Sequence, residues 1–187
     1  IVRNPEYLYW ILNSFHLKKN FTADTFNEEI SKTIQSYKSF NGKVNSLRLL
    51  KRREILRIGV KDILGMADLS SVTYELSVLA KCISASLFEL CLDEILKSYK
   101  IEKIENNYTL IALGKLGGDE LNYSSDIDLI LLYDSNCLLN GVEYYEILTR
   151  ALQLFIESAS AKTENGFLYR VDFRLRPDGR SSPLCRT

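Results

Sequence analysis

Between Gly114 and Asp134 the chain reads GKLGGDELNYSSDIDLILLYD, with Asp126 and Asp128 two residues apart in a run that is otherwise apolar. Carboxylates are costly to bury without a positive partner. The pair therefore sits at a solvated strand end or holds a cation. Alternate side chains of an extended strand share a face, which puts Asp126 and Asp128 on one side and Ile127, Leu129 and Leu131 on the other. Two carboxylates one strand repeat apart suit a hard divalent cation. Mg²⁺ (or Mn²⁺) accepts one or two protein carboxylates and fills the rest of its shell with water and phosphate oxygens. Asp172, on a later strand, would supply a third carboxylate if the strands are neighbours, and two metals could then clamp the attacking and leaving oxygens of a phosphoryl group.

Other residues near these carboxylates extend the same chemistry. Gly117-Gly118 leaves room for backbone N–H groups to approach a phosphate where any side chain would block it. Ser124 and Ser125 add hydroxyl donors just before the first aspartate, and Arg174 and Arg176, with Arg170 and Lys115, can neutralise substrate charge. Taken singly, each feature has a plainer reading: a D-x-D at a surface strand end, a Gly-Gly turn, arginines on a solvated face. The order Gly-Gly, Ser-Asp-x-Asp, then Asp on a later strand points instead to nucleotidyl or phosphoryl transfer. Asp119, Glu120 and Asp178 read as ordinary polar loop residues.

The elements that must position these residues follow from periodicity. NPEYLYWILNSFHL and TADTFNEEISKTIQSYKSF carry helical spacing, with Thr22 or Asp24 as the cap of the second. NSLRLLKRREILRIGVKDILGM places Leu49, Leu56, Val60 and Ile63 on one stripe, its cations elsewhere, on a solvated face or toward an acidic or phosphate partner. From Asp68, an N-cap, a long amphipathic helix carries Leu69, Val72, Leu76, Leu79, Ile83, Leu87 and Leu90. Trp10, His16 and Met66 read as core or boundary residues. Asn106-Asn107 signals a turn, Tyr108 to Leu113 a strand, and DIDLILLY a second strand. GVEYYEILTRALQLFIESAS is a helix, with Asn140 and Glu143 as its capping box and Tyr145, Leu148, Leu152, Phe155 and Ala159 toward the core. GFLYRVDFRLRP is a third strand, with Phe167, Tyr169, Val171 and Phe173 on one face and Leu168, Arg170, Asp172 and Arg174 on the other. The expected class is α+β: a helical region over residues 1–105 packed on a partial sheet over 106–187.

Composition narrows the function classes. Lys+Arg and Asp+Glu both total 24, so no bulk charge draws the chain to nucleic acid or an anionic membrane, and any polyanion site is local. With only His16 available as an imidazole, a zinc site or a Ser/His/Asp triad has little to be built from. Cys82, Cys91, Cys137 and Cys185 form no C-x-x-C pair and read as reduced thiols of a cytoplasmic protein. No apolar run reaches membrane-spanning length. The chain opens on Ile1 and ends at SSPLCRT, which reads as a fragment of something longer.

GKLGGDELNYSSDIDLILLYD together with ENGFLYRVDFRLRPDGRSSPL resembles the glutamate-ammonia-ligase adenylyltransferase family, within the polymerase-beta-like nucleotidyltransferase superfamily. LKRREILRIGVKDILGMADLSSVTYELSVLA resembles the helical segment that leads into that family's catalytic core. The resemblance covers roughly residues 47–184. It implies a partial polymerase-beta-like sheet, Asp126, Asp128 and Asp172 as metal-binding carboxylates, and Gly117, Gly118 and Ser125 as the nucleotide-phosphate loop. The wording is more similar to the family's N-terminal half, which implies phosphorolytic removal of AMP from a tyrosine of glutamine synthetase, with release of ADP. Alternatives are AMP transfer from ATP onto the synthetase, or a silent remnant that binds nucleotide or a partner. The resemblance implies glutamine synthetase, nucleotide (ATP or ADP) and phosphate as partners, with a PII-type signalling protein as a further one. Ser182 departs from the pattern where a glycine is expected before Pro183-Leu184, and the family's core continues past the third strand.

Overall fold

A computed structural model describes residues 5–18, 21–102, 104, 108–174 and 185–186. Five helices come first: α1 (Glu6–Leu12), α2 (Ser14–Lys18), α3 (Ala23–Gln35), α4 (Phe40–Ile63) and α5 (Leu69–Ser98). Then come β1 (Tyr108–Leu113), the single turn α6 (Gly114–Gly117), β2 (Ile127–Tyr133), the hairpin β3 (Leu138–Leu139) and β4 (Val142–Glu143), α7 (Tyr144–Ser160), β5 (Val171–Asp172) and β6 (Cys185–Arg186). The fold is α+β, as the sequence indicates.

Two of the long helices start where their caps are written. Thr22 accepts from the Thr25 N–H at the head of α3, and Asp68 from the Ser71 N–H at the head of α5, each satisfying a donor that the first helical turn leaves open. α5 is the spine against which α3, α4 and α7 all pack. Its Leu79, Ile83, Leu87, Phe88 and Cys91 are buried. The Phe88 ring meets Tyr108 of β1 and Phe155 of α7 edge-on, with centroids 5.1 and 6.1 Å away, so helices and sheet share one apolar core. Leu69, expected on the buried stripe, is exposed at the first turn.

The stripe expected on α4 is not its buried face. Ile63 is 86% exposed, while Val44, Leu47, Leu50 and Ile58 are buried together with Arg57, Glu54 and Lys61. Arg57 donates to Glu54 at 2.7 Å and to Glu75 of α5 at 2.6 Å, with its guanidinium 4.1 Å from the centre of the Phe21 ring. Lys61 pairs with the same Glu75. Two cations and two carboxylates balance inside the α4–α5 contact, so the desolvation of each is offset by its partners. Apolar spacing could not reveal this. These cations are neither solvated nor turned toward a phosphate.

β1 and β2 are antiparallel, from Tyr108 opposite Tyr133 to Leu113 opposite Asp128. On its other side β2 takes two short parallel partners: β5, with Ile127 opposite Val171 and Asp128 opposite Asp172, and β6, with Leu131 opposite Cys185. Of the strand expected over residues 166–177, only Val171–Asp172 forms a strand among the described residues, Gly166 making just an isolated bridge with Thr163. Leu168 and Tyr169 are both buried, against the expected alternation, because both their N–H groups donate to the Ala159 carbonyl at the end of α7, at 2.9 and 3.1 Å.

The capping box expected at Asn140 and Glu143 is replaced by a hairpin. Asn140 and Gly141 have φ of 49° and 81° and form the tight turn between β3 and β4, the arrangement an Asn-Gly pair favours. α7 begins at Tyr144, and the Tyr145 N–H is satisfied instead by Asn136 Oδ1 at 3.0 Å. The helical run near the N-terminus breaks at Asn13, whose extended ψ separates α1 from α2. The turn expected at Asn106-Asn107 lies outside the described residues.

Candidate functional site

The strand pairing sets Asp172 beside Asp128, with Asp126 one residue before β2. Along β2 the buried residues are Ile127, Leu129 and Leu131, so Asp128 falls on the opposite face, with Asp126 just before the strand. β5 sets Asp172 directly beside Asp128. Partial burial and the charges of Asp172 and Asp126 push the Asp128 carboxyl above its ordinary value, with Arg174 opposing them. Arg170 Nε donates to Asp126 Oδ1, and its Nη2 donates to the Ser124 carbonyl at 3.0 Å. Arg174 donates its backbone N–H to Asp172 Oδ1 at 2.7 Å and its Nε to Asp172 Oδ2 at 2.6 Å. The hydrogen bond and charge of Asp172 hold the Arg174 guanidinium above its ordinary pKa. Arg176 lies outside the described residues.

The glycine loop is built differently from its sequence reading. Gly117 closes α6, and a Cβ there would stand 2.7 Å from the Ala112 carbonyl oxygen of β1. Its missing side chain is thus demanded by its own backbone. Gly118, the C-cap of α6, has room for a Cβ, with nothing nearer than 3.6 Å. Gly114 was not singled out by sequence. It has φ of 54°, and a Cβ there would meet Asp128 Oδ2 at 2.7 Å, so it keeps the approach to that carboxylate open. A glycine directly after an apolar strand was the signal available. Ser125 donates its hydroxyl to Asn122 Oδ1 at 2.8 Å and accepts from the Asn122 N–H at 3.4 Å. That hydroxyl ties the loop, whereas Ser124 is exposed beside Arg170.

The helices hold this loop at three points. Leu121 N–H donates to Ser77 Oγ of α5 at 3.0 Å, Lys81 of α5 pairs with Asp119 at 2.7 Å, and Tyr123 donates its hydroxyl to Asp62 of α4 at 3.0 Å. Asp119, read from sequence as a plain loop residue, is therefore an anchor. Lys115 is exposed on α6. Between loop and helices lies a cavity of about 200 Å³ whose polar wall is Lys51, Ser124, Ser125 and Arg170 and whose aromatic wall is Phe167 and Tyr169. Lys51, on α4, is the residue that sequence reasoning missed. Nothing in a Lys-Arg-Arg run tells which cation turns inward.

Whether these residues fit a divalent cation can be judged from the donor set. Three neighbouring carboxylates, Asp128 among them raised by partial burial and by the charges of the other two, are the hard oxygen ligands that Mg²⁺ or Mn²⁺ takes. Among the described residues, however, no three such groups converge at ligating distance. Arg170 and Arg174 occupy the outer two. The donor chemistry fits once those two ion pairs open.

A family model for glutamate-ammonia ligase adenylyltransferase matches residues 1–187. The bifunctional glutamine synthetase adenylyltransferase/adenylyl-removing enzyme of Methylococcus capsulatus is 36% identical over 151 residues, covering 77% of this chain and 16% of that protein. The enzyme of the same description from Shewanella woodyi is 32% identical over 193 residues, 98% of this chain and 20% of that protein, and the one from Nitrosomonas europaea is 36% identical over 149 residues, 74% and 16%. The chain thus spans a fifth or less of the length of these relatives. No helix among the described residues is long and apolar enough to cross a membrane. With the match extending over its whole length, the chain belongs to the glutamate-ammonia ligase adenylyltransferase family.

Proposed function

We propose that this chain carries the carboxylate and arginine cluster of a metal-dependent nucleotidyltransferase that acts on glutamine synthetase in the cytoplasm, removing AMP from an adenylylated tyrosine by phosphorolysis. The observation that carries this reading is the parallel register of Asp128 with Asp172, flanked by Arg170 and Arg174. Asp126, Asp128 and Asp172 would hold Mg²⁺ or Mn²⁺. The bound ion would supply charge neutralisation and polarisation of the phosphoryl oxygens.

The chain's own residues do the remaining work. Arg170 and Arg174, both exposed, exchange a carboxylate for the oxygens of incoming phosphate and orient it. An oxygen of that phosphate attacks the phosphorus of the AMP group; the bond to the tyrosine oxygen breaks, the phenolate takes up a proton, and ADP leaves. Gly114 keeps the face of Asp128 clear. The loop from Gly118 to Ser125, anchored by Ser77, Lys81 and Asp62, bounds the space from the helical side. Removal is favoured over addition by the resemblance of ELNYSSDIDLI and GFLYRVDFRLRP to the family's N-terminal half.

The test gives the protein adenylylated glutamine synthetase, Mg²⁺ and inorganic phosphate and follows nucleotide release. Phosphate-dependent ADP release supports the proposal, with Arg174→Ala raising the phosphate requirement more than it weakens metal binding. AMP transfer from ATP onto unmodified synthetase, without phosphate-dependent release, would reverse the direction. Neither reaction from folded, metal-loaded protein would leave a binding module for nucleotide or for a PII-type partner.

A further inference from the structure

Lys51 reaches from α4 to the segment that leads into β5. Its ammonium donates to the Leu168 carbonyl and, at 3.5 Å, to that of Phe167, and it stands 4.3 Å from the centre of the Tyr169 ring and 5.1 Å from that of Phe167. Among the described residues no carboxylate pairs with it. Among the described residues, carbonyl dipoles and ring faces hold this cation. One turn earlier on α4, Arg48 donates to the Ser158 carbonyl at 2.8 Å, so the helix grips both the end of α7 and the segment after it.

Three supports fix residues 167–170. The carbonyls of 167 and 168 are held by Lys51, the N–H groups of 168 and 169 by the Ala159 carbonyl, and the carbonyl of 170 by the Ile127 N–H at 3.0 Å. Among the described contacts to the backbone of this segment only the first comes from a side chain, while the Arg170 side chain makes its own ties to Asp126 and the Ser124 carbonyl. Two residues beyond the last, Asp172 meets Asp128. We infer that Lys51 is a positioning residue for the nucleotidyl transfer proposed above: by holding the 167–168 carbonyls it sets the register that places Asp172 opposite Asp128. What Asp172 does there rests on that proposal. Where Asp172 stands does not.

Burial pushes the Lys51 ammonium down to about 8. Tyr123, Tyr169 and Arg170 share its cavity, Cys82 of α5 lies near Tyr169, and Arg48, Arg52 and Glu54 flank it on α4. Burial pushes Tyr169 far up, Tyr123 to about 12 and Cys82 to about 11. Opening the segment would return Lys51 to water and to its ordinary value, so the open form binds the proton more readily. The closed form therefore gains as pH rises through 8.

The experiment compares amide exchange and Mn²⁺ binding in this 187-residue chain, in Lys51→Met and in Lys51→Arg. In Lys51→Met the amides of Ile127, Leu168 and Tyr169 are expected to exchange about tenfold faster, with Ile83 and Leu87 of α5 changed less than about twofold, as for a local opening. Mn²⁺ affinity should fall with them, and Lys51→Arg should recover most of both effects. In the unmodified chain, protection of Leu168 and Tyr169 relative to Ile83 should rise between about pH 7 and 9, and in Lys51→Arg it should stay flat, since arginine keeps its proton throughout. Unchanged local exchange in Lys51→Met, or equal acceleration in α5, overturns the inference. If Lys51→Met does not fold, the pH response of the unmodified chain decides: a flat ratio overturns it. An unmodified chain that binds no Mn²⁺ would sink the proposed function while the exchange result still judged Lys51.

Discussion

Asp128 and Asp172 stand opposite one another in register across the parallel pair β2–β5. Like charges directly opposed on neighbouring strands repel, and here the repulsion adds to partial burial in raising the Asp128 carboxyl. Arg174 relieves Asp172 and Arg170 relieves Asp126. No described hydrogen bond does the same for Asp128. The arrangement costs stability in the free chain and creates a demand for a cation.

Asp128→Asn should therefore raise the unfolding midpoint slightly at neutral pH while weakening Mn²⁺ binding. A carboxyl raised in the folded state binds more protons there than in the unfolded chain, so its contribution turns unfavourable as pH climbs above about 4, the ordinary carboxylate value. Urea unfolding of both proteins without metal, between pH 4 and 7, checks the sign: the advantage of the asparagine variant should grow with pH. An advantage that shrinks would mean that Asp128 is stabilised as an anion.

Gly117→Ala should destabilise the chain by about 1–3 kcal/mol, because its new Cβ would press on the backbone oxygen of Ala112, which cannot swing away. Gly118→Ala should stay within about 0.5 kcal/mol, as for a surface change. Thermal unfolding of the two variants side by side is the measurement. Equal losses would place the steric demand of the Gly-Gly pair elsewhere.

Arg57→Met removes the guanidinium shared by Glu54 and Glu75 and, among the described residues, leaves Glu54 with Arg53 alone, at 3.2 Å, and Glu75 with Lys61 alone. A loss of about 1.5–3 kcal/mol is expected, because the charge-assisted bonds to the guanidinium go while each carboxylate keeps one cation. Adding Glu54→Gln to the variant should return part of that loss, read as a coupling energy in a double-mutant cycle. Strict additivity would show that the network carries no coupling.

Native thiol titration should report about one fast-reacting cysteine, since thiolate access governs the reaction. Cys137 is exposed, while Cys82, Cys91 and Cys185 are buried, and burial pushes Cys82 to about 11 and Cys91 to about 12. Cys137→Ser should abolish the fast phase. A fast phase that survives would mean that the core around α5 opens readily.

Residue type and spacing alone determined the α+β class, the cap at Asp68, the strands at Tyr108 and Ile127, and the pairing of Asp126 with Asp128, while leaving the cap of α3 to Thr22 or Asp24 and Asp172 dependent on which strands are neighbours. Those features are local, or depend on a side-chain period that survives in any environment. Tertiary structure decided the rest. The buried face of α4 depends on charges paired across to Glu75, which apolar spacing does not record. The third strand is short because α7 ends where its Ala159 carbonyl can take the amides of Leu168 and Tyr169. Asn140 turned out to serve a hairpin, since the same Asn-Gly pair satisfies either a turn or a cap and only the neighbouring strands choose between them. Gly114 and Lys51 matter through partners distant in the chain, Asp128 for one and the carbonyls of Phe167 and Leu168 for the other. A contact between remote residues leaves no periodic trace, because only packing brings its two ends together.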